Sequence, residues 1–246
     1  GKLIVLSESG KLITADATSK GFDPVSSAQI LSGSRCWSMP VLVNGKVYAR
    51  NADGDAVCVD AGSKNYTGSQ ETGKAKGKYN WCHWRGPDRD GISKEKGLLK
   101  KWPEKGPEMI WSYEGLGKGY ASVSVCDGVV YVPGTIDKTG YMHAFDTSGK
   151  LLWKKPYAEE WVRSFPGSRS TPAVNDGNVY VITGHGVVVC LSVSDGGKLW
   201  SEDIKSKYNG KSKSWGYASS PLIYKNMIIF SPGGPKAGIV ALNKDD

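Results

Sequence analysis

The stretch Lys2–Ala17, KLIVLSESGKLITADA, aligns without a gap on Lys46–Ala61, KVYARNADGDAVCVDA, with the opening lysine, the central glycine and the closing Asp-Ala pair identical. A chain that repeats itself every 20–50 residues or so builds its core by stacking supersecondary units, so the repeat decides the architecture before any single residue does. Each copy is strand-like on both sides of a Ser-Gly or Asp-Gly pair, which marks a hairpin.

A second register runs through the rest of the chain. PVLVNGKVYAR starts at Pro40, VSVCDGVVYVPG at Val123, PAVNDGNVYVITG at Pro172 and PLIYKNMIIFSPG at Pro221. Each is an apolar strand, a two-residue turn and a second apolar strand. Asn44-Gly45, Asp127-Gly128 and Asp176-Gly177 are the residue pairs that a type I′ turn, with positive φ at both central positions, selects. The last three starts are evenly spaced, and the longer step from 40 to 123 implies an insertion. A third piece closes the units: AFDTSGKLLW ending at Trp153 and CLSVSDGGKLW ending at Trp200, in which a strand, a turn and an outer tryptophan-bearing strand follow each other. The pattern predicts four-stranded antiparallel blades, and hence an all-β propeller with very little helix.

The totals agree with this. The chain of 246 residues holds 32 glycines and nine tryptophans, a composition of short strands and tight turns. No apolar run is long enough for a transmembrane helix, and no signal peptide is visible. The net charge of +8 comes from lysines scattered over turns and a linker, without the aromatic interleaving of a nucleic-acid surface, so no nucleic-acid partner is expected. The five cysteines, Cys36, Cys58, Cys82, Cys126 and Cys190, include no CxxC or CxxCH spacing, and an odd count leaves at least one unpaired within the chain; several stand at strand positions, where cysteine acts as a small buried hydrophobe, and the disulfide state stays open.

AFDTSGKLLW, CLSVSDGGKLW and the ALNKDD that closes the chain resemble the Ala-Leu-Asp-x-x-Thr-Gly-Lys-x-x-Trp repeat of the pyrroloquinoline-quinone-like (PQQ-like) propellers. The resemblance implies that Trp153 and Trp200 lie flat on the Gly-Lys turn of the neighbouring blade and staple the blades together. It also implies a ring of seven or eight blades, of which this chain supplies an arc, with the remaining blades expected from another segment or chain. WCHWRGPDRDGIS, 81–93, is similar to the WxxWRGPxxxGxS segment that opens many secreted bacterial propellers of this kind. Before it, Gly62–Asn80 reads as a polar linker. The expected organisation is closing blades over 1–61, a linker and insert over 62–107, and opening blades over 108–246. The WRGP motif is expected across the outside or bottom of the ring. The blade at 37–61 lacks a tryptophan-bearing fourth strand, and 108–114 is expected to supply it by pairing with 55–60. The implied location is periplasmic or extracellular.

The family's dehydrogenases hold pyrroloquinoline quinone over calcium, so PQQ and calcium are cofactors by resemblance only. The adjacent cysteines common in its alcohol dehydrogenases are absent here, and no Glu/Asn/Asp calcium set is recognisable. Asp127 and Asp176 belong to turns. His83, His143 and His185 are too dispersed to pair on a metal. No catalytic or metal residue is assigned, and a non-catalytic binding scaffold is expected in preference to a quinoprotein alcohol or sugar dehydrogenase. A third reading, an assembly factor resembling the outer-membrane-protein assembly propeller, would bind extended peptides. The residues just ahead of the inner strands, Trp37, Tyr120, Arg169, Trp215 and Tyr217, are the expected channel-mouth contacts for a protein or carbohydrate partner.

Overall fold

A computed structural model of the chain describes all residues except Ser34, 67–78 and Lys213, so most of the expected linker lies outside the described residues. The strands are β1 (Lys2–Leu6), β2 (Lys11–Asp16), β3 (Pro24–Gln29), β4 (Val41–Val43), β5 (Lys46–Arg50), β6 (Ala56–Asp60), β7 (Met109–Tyr113), β8 (Ser124–Cys126) and β9 (Val129–Ile136). They continue with β10 (Thr139–Asp146), β11 (Leu151–Glu159), β12 (Ala173–Asn175), β13 (Asn178–Ile182), β14 (Val187–Ser192) and β15 (Lys198–Asp203). One helical turn, α1 (Ile204–Lys207), capped by Asp203, precedes β16 (Leu222–Tyr224), β17 (Met227–Phe230) and β18 (Val240–Asn243). They form five antiparallel sheets in the orders β1-β2-β3, β4-β5-β6-β7, β8-β9-β10-β11, β12-β13-β14-β15 and β16-β17-β18. This is the blade arrangement of a propeller.

The hairpins follow from the turn chemistry. Asn44, Asp127 and Asp176 adopt φ of 52°, 48° and 46°, each followed by a glycine that is also positive, so the type I′ register sets the pairing of each first and second strand. One apolar cluster fills each gap between successive sheets among the described residues. The strands buried on both faces are runs such as VVYV and VVVCL rather than alternating sequences.

β7 lies antiparallel to β6, with Trp111 opposite Cys58 and Tyr113 opposite Ala56. One sheet thus draws strands from both sides of the insert. Trp111 is thereby the first of a series. Gly149, at φ 91°, lies so close under its ring that a Cβ there would come within 2.5 Å of it, and Gly196, at φ 72°, is placed in the same way 2.6 Å from the ring of Trp153. Both glycines meet two demands at once, a left-handed turn and room for the indole. Trp153 is buried and its Nε1 donates to Val193 O at 3.0 Å. Trp200 is only half-buried, less than a staple between blades was expected to be; it rests on the cluster between the last two sheets and donates to Lys244 O at 3.2 Å.

The insert departs from expectation. Its WRGP segment runs along the inner strands, not across the outside of the ring. Trp81 forms an antiparallel bridge with Val125 of β8, Val174 of β12 donates to Cys82 O, and Arg89 Nη2 donates to Ile223 O of β16 at 2.8 Å. The first strand of a blade is three residues long here and leaves its channel-side edge unpaired. The insert satisfies those backbone groups, which would otherwise need water or a partner. Two further anchors hold it. Glu95 is buried and accepts from Asn44 N, Gly45 N and the Tyr66 hydroxyl, so its carboxylate caps the β4–β5 turn. Cys82 is joined to Cys126 in a disulfide, a pairing the spacing left open, while Cys36, Cys58 and Cys190 are free and are the expected buried hydrophobes.

His143 is wholly buried on β10 beside Phe145 and Tyr113. Burial, reinforced by Lys154, lowers its pKa from an ordinary 6.5 to about 4. The folded state therefore holds the neutral imidazole. Its contribution to stability is complete above pH 6.5 and is lost as pH falls towards about 4. A shift of this size corresponds to about 3 kcal/mol. Urea unfolding at pH 7 and pH 4 is expected to show this loss in the native chain. His143→Leu is expected to remove that share of it, and an unchanged pH difference in the variant would refute the assignment.

Candidate ligand-binding site

Counting back four residues from β4, β8, β12 and β16 gives Trp37, Tyr120, Arg169 and Ala218, and counting back two gives Met39, Ser122, Thr171 and Ser220. All eight line one cavity of about 640 Å³. The alternation is that of extended chain, in which every second side chain points the same way. The approach to each inner strand is thus one layer of a shared wall. Hydrogen bonds fix the layers to each other across blades: Ser122 Oγ donates to Met39 O, Ser122 N donates to Thr171 Oγ1, and Thr171 N donates to Ser220 Oγ.

The remaining lining comes from the insert. Trp84 and Arg85 project into the cavity beside Ser38 and Ser219, with the Arg85 guanidinium 5.5 Å from the centre of the Trp84 ring. The rim carries a run of aromatic contacts, Tyr120 to Trp37 at 5.4 Å, Trp37 to Phe165 at 5.3 Å and Phe165 to Trp215 at 5.3 Å. These rings are far from covered: Trp37 is 51% exposed, Trp84 50% and Trp215 56%. Phe165 adopts φ 49°, a conformation that costs a non-glycine residue roughly 1–2 kcal/mol. Arg169 holds that turn by donating from Nη2 to Ser164 O at 2.7 Å and Phe165 O at 2.5 Å. Burial lowers the Arg169 pKa, and Glu160 opposes this.

Behind the wall sits Arg50, wholly buried, its pKa lowered to about 10 by burial. It satisfies its charge with carbonyls: Nε donates to Asn51 O, Nη1 to Pro133 O at 2.5 Å and Nη2 to Gly117 O at 3.1 Å. These bonds tie β5, β9 and the loop leading to Tyr120 together. Glu160, also buried, accepts from the Tyr157 hydroxyl and from the N–H groups of Trp161 and Gly184; burial raises its pKa against those bonds.

Of the five expected mouth residues, Trp37, Tyr120 and Arg169 line the cavity and Trp215 extends its rim through Phe165. Tyr217 lies one place out of the register, is buried in the cluster between the last two blades and donates its hydroxyl to Pro232 O; Ala218 holds the equivalent place. Trp84, Arg85 and Phe165 escaped the reading by blade register because no repeat places them at an inner strand. The exposed aromatic neighbours of the WRGP motif were the available signal.

Residues 138–246 match the sequence profile of the outer membrane protein assembly factor BamB family. The chain has the fold of a β-propeller built from antiparallel blades. The crystal structure of BamB from Moraxella catarrhalis superposes with a TM-score of 0.60 at 14% identity, covering 99% of this propeller chain and 58% of that one. The computationally designed protein Ika8 superposes with a TM-score of 0.56 at 8% identity, covering 98% and 55%. In sequence, the quinohemoprotein alcohol dehydrogenase ADH-IIG of Pseudomonas putida is 27% identical over 139 residues, which is 53% of this chain and 18% of that protein. The propeller chain thus spans just over half of the BamB structure and under a fifth of the dehydrogenase.

The described residues of this propeller do not fit calcium-bound quinone. Calcium takes about six to eight oxygen ligands, with carboxylates prominent among them. The cavity lining contains no carboxylate and two arginines, and among the described residues no three His, Cys, Asp or Glu side chains gather where they could hold a metal ion. Asp127 and Asp176 sit in their hairpin turns, Asp176 facing Lys244 at 3.1 Å. His83, His143 and His185 belong to the insert, to β10 and to the turn before β14, and they do not converge. No helix among the described residues is long and apolar enough to cross a membrane.

Proposed function

We propose that this propeller is a non-catalytic binding module, and that the cavity bounded by Trp37, Tyr120, Arg169, Trp84 and Arg85 is its recognition site. The observation that carries this reading is the convergence of the approach segments of four blades and of the insert on one cavity whose aromatic rings remain half exposed. Aromatic and arginine side chains are those that dominate recognition energetics, and a volume of about 640 Å³ falls within the range of about 300–1,000 Å³ found for ligand sites. The wall offers donors, hydroxyls and ring faces, but no base or nucleophile with a partnered activator. The disulfide suits an oxidising compartment, so we place the protein in the periplasm or outside the cell.

The test has two arms. In the first, the chain is incubated with pyrroloquinoline quinone and calcium, and dye-linked oxidation of ethanol and glucose is followed; no reduction above the protein-free control is expected, and turnover would overturn the reading. In the second, tryptophan fluorescence is recorded against a panel of oligosaccharides and of short peptides. At least one compound is expected to quench the signal, with about tenfold weaker binding to Trp37→Ala, a change of about 1.4 kcal/mol. No response to any compound would overturn the reading as well.

A further inference from the structure

Resting on the recognition site just proposed, we infer that its ligand is an acidic carbohydrate, a polysaccharide segment bearing ring carboxylates.

Three observations choose this chemistry. The first is charge. Arg85 and Arg169 line the cavity, no carboxylate does, and neither arginine takes part in an ion pair among the described residues. Arg85 uses Nη2 on Asp90 O and Arg169 uses Nη2 on Ser164 O and Phe165 O, so each guanidinium is oriented by backbone; Glu160, the carboxylate that acts on Arg169, is buried and bonded to Tyr157, Trp161 and Gly184. A planar fork of donors held in place is suited to a carboxylate. Glu8, the carboxylate near the rim, is occupied by the Trp37 indole, whose Nε1 donates to it at 3.0 Å.

The second is surface shape. The exposed groups are flat rings, Trp37, Trp84 and Trp215, set among small hydroxyl side chains. The C–H face of a pyranose carries partial positive charge and meets the negative face of an aromatic ring, as the edge of another ring does. Ser and Thr hydroxyls serve sugar hydroxyls in either direction because they both donate and accept.

The third observation disfavours the extended peptide. Peptides captured by a sheet need an open strand edge. The inner edges of β8 and β12 are taken by the chain itself, through the bridge of Trp81 to Val125 and the bond from Val174 N to Cys82 O. What remains at the mouth is a polar, aromatic wall in which Met39 and Ala218 are the aliphatic members.

Isothermal titration calorimetry with three probes tests the inference: trigalacturonic acid, the neutral galactotriose that differs only in its carboxylates, and a hexamer of glutamate. Trigalacturonic acid is expected to bind and to quench tryptophan fluorescence, with galactotriose about tenfold weaker or worse. Arg169→Gln and Arg85→Gln are each expected to weaken trigalacturonic acid more than galactotriose and so shrink that preference, whereas Trp37→Ala weakens both sugars and leaves their ratio unchanged. Unaltered circular dichroism and thermal midpoint establish that each variant is folded. Equal binding of the two sugars, no binding of trigalacturonic acid, or insensitivity to both arginine substitutions overturns the inference. Binding of the glutamate hexamer alone sinks the carbohydrate and leaves the binding module standing. If no sugar or peptide binds, both readings fall.

Discussion

Trp153→Ala is expected to destabilise the chain by about 3–5 kcal/mol, the loss seen when a large buried aromatic is truncated and the site cannot collapse. The indole is packed on both faces. On one side lies Tyr131, 6.0 Å away, and on the other the Gly196 turn of the next blade. Its N–H would leave Val193 O without a donor in a partly buried setting, which adds to the packing loss. Trp111→Ala is expected to fall in the same range, because Trp111 is equally buried against Gly149 and Phe145. Trp200→Ala is expected to cost less, since its side chain is less deeply buried than those of Trp153 and Trp111. Urea unfolding monitored by circular dichroism gives the ranking. A loss below about 1 kcal/mol at Trp153 would mean that the blades are not stapled by their outer-strand tryptophans. Gly196→Ala offers an independent check, for its Cβ must enter the space of the same ring at a positive φ.

Removal of the Cys82–Cys126 bond should cost a similar amount by a different route. The two cysteines are 44 residues apart, and closing a loop of that length restricts the unfolded chain by about 4 kcal/mol on the chain-entropy account. Cys82→Ser with Cys126→Ser is therefore expected to lower stability by about 3–4 kcal/mol, and the native chain in reductant is expected to match it. The folded state should also change locally. The bond pins the insert beside the Trp81–Val125 bridge, so hydrogen exchange at Trp81 and Val125 is expected to speed up in the variant. Trp84 and Arg85 follow the disulfide closely in the chain, so the cavity should lose definition with it. An unfolding midpoint that reductant leaves unmoved, with thiol titration proving reduction, would contradict this account.

The blades themselves were legible because their signals are local. A positive φ at Asn44, Asp127 and Asp176, a short apolar strand on each side, and a tryptophan after a glycine turn are all consequences of neighbouring residues, and each is present in the sheets. Even the pairing of β7 with β6 across the insert follows from a blade that lacked its outer strand, because an unpaired sheet edge is an unmet hydrogen-bonding demand wherever the completing strand lies in sequence. Trp37, Tyr120 and Arg169 could be placed at the mouth for the same reason: they stand at a fixed distance ahead of a recognisable strand. Tyr217 shows the tolerance of that argument, since an error of one residue along an extended segment sends the side chain to the opposite face, here into the core.

What the tertiary structure alone decided has no local signature. The polar stretch and WRGP motif could have lain on any surface; only the unpaired edges of β8 and β12, far away in sequence, draw the segment into the channel. That placement brings Cys82 to Cys126, supplies Trp84 and Arg85 to the cavity and bonds the inner edges of β8 and β12. The sequence by itself determined the repeating blade, its turns and the tryptophans that join one blade to the next, because these are interactions between residues close along the chain or one repeat apart. The cavity and its charge were settled by which distant segments share a free edge, and that is a property of the assembled sheets.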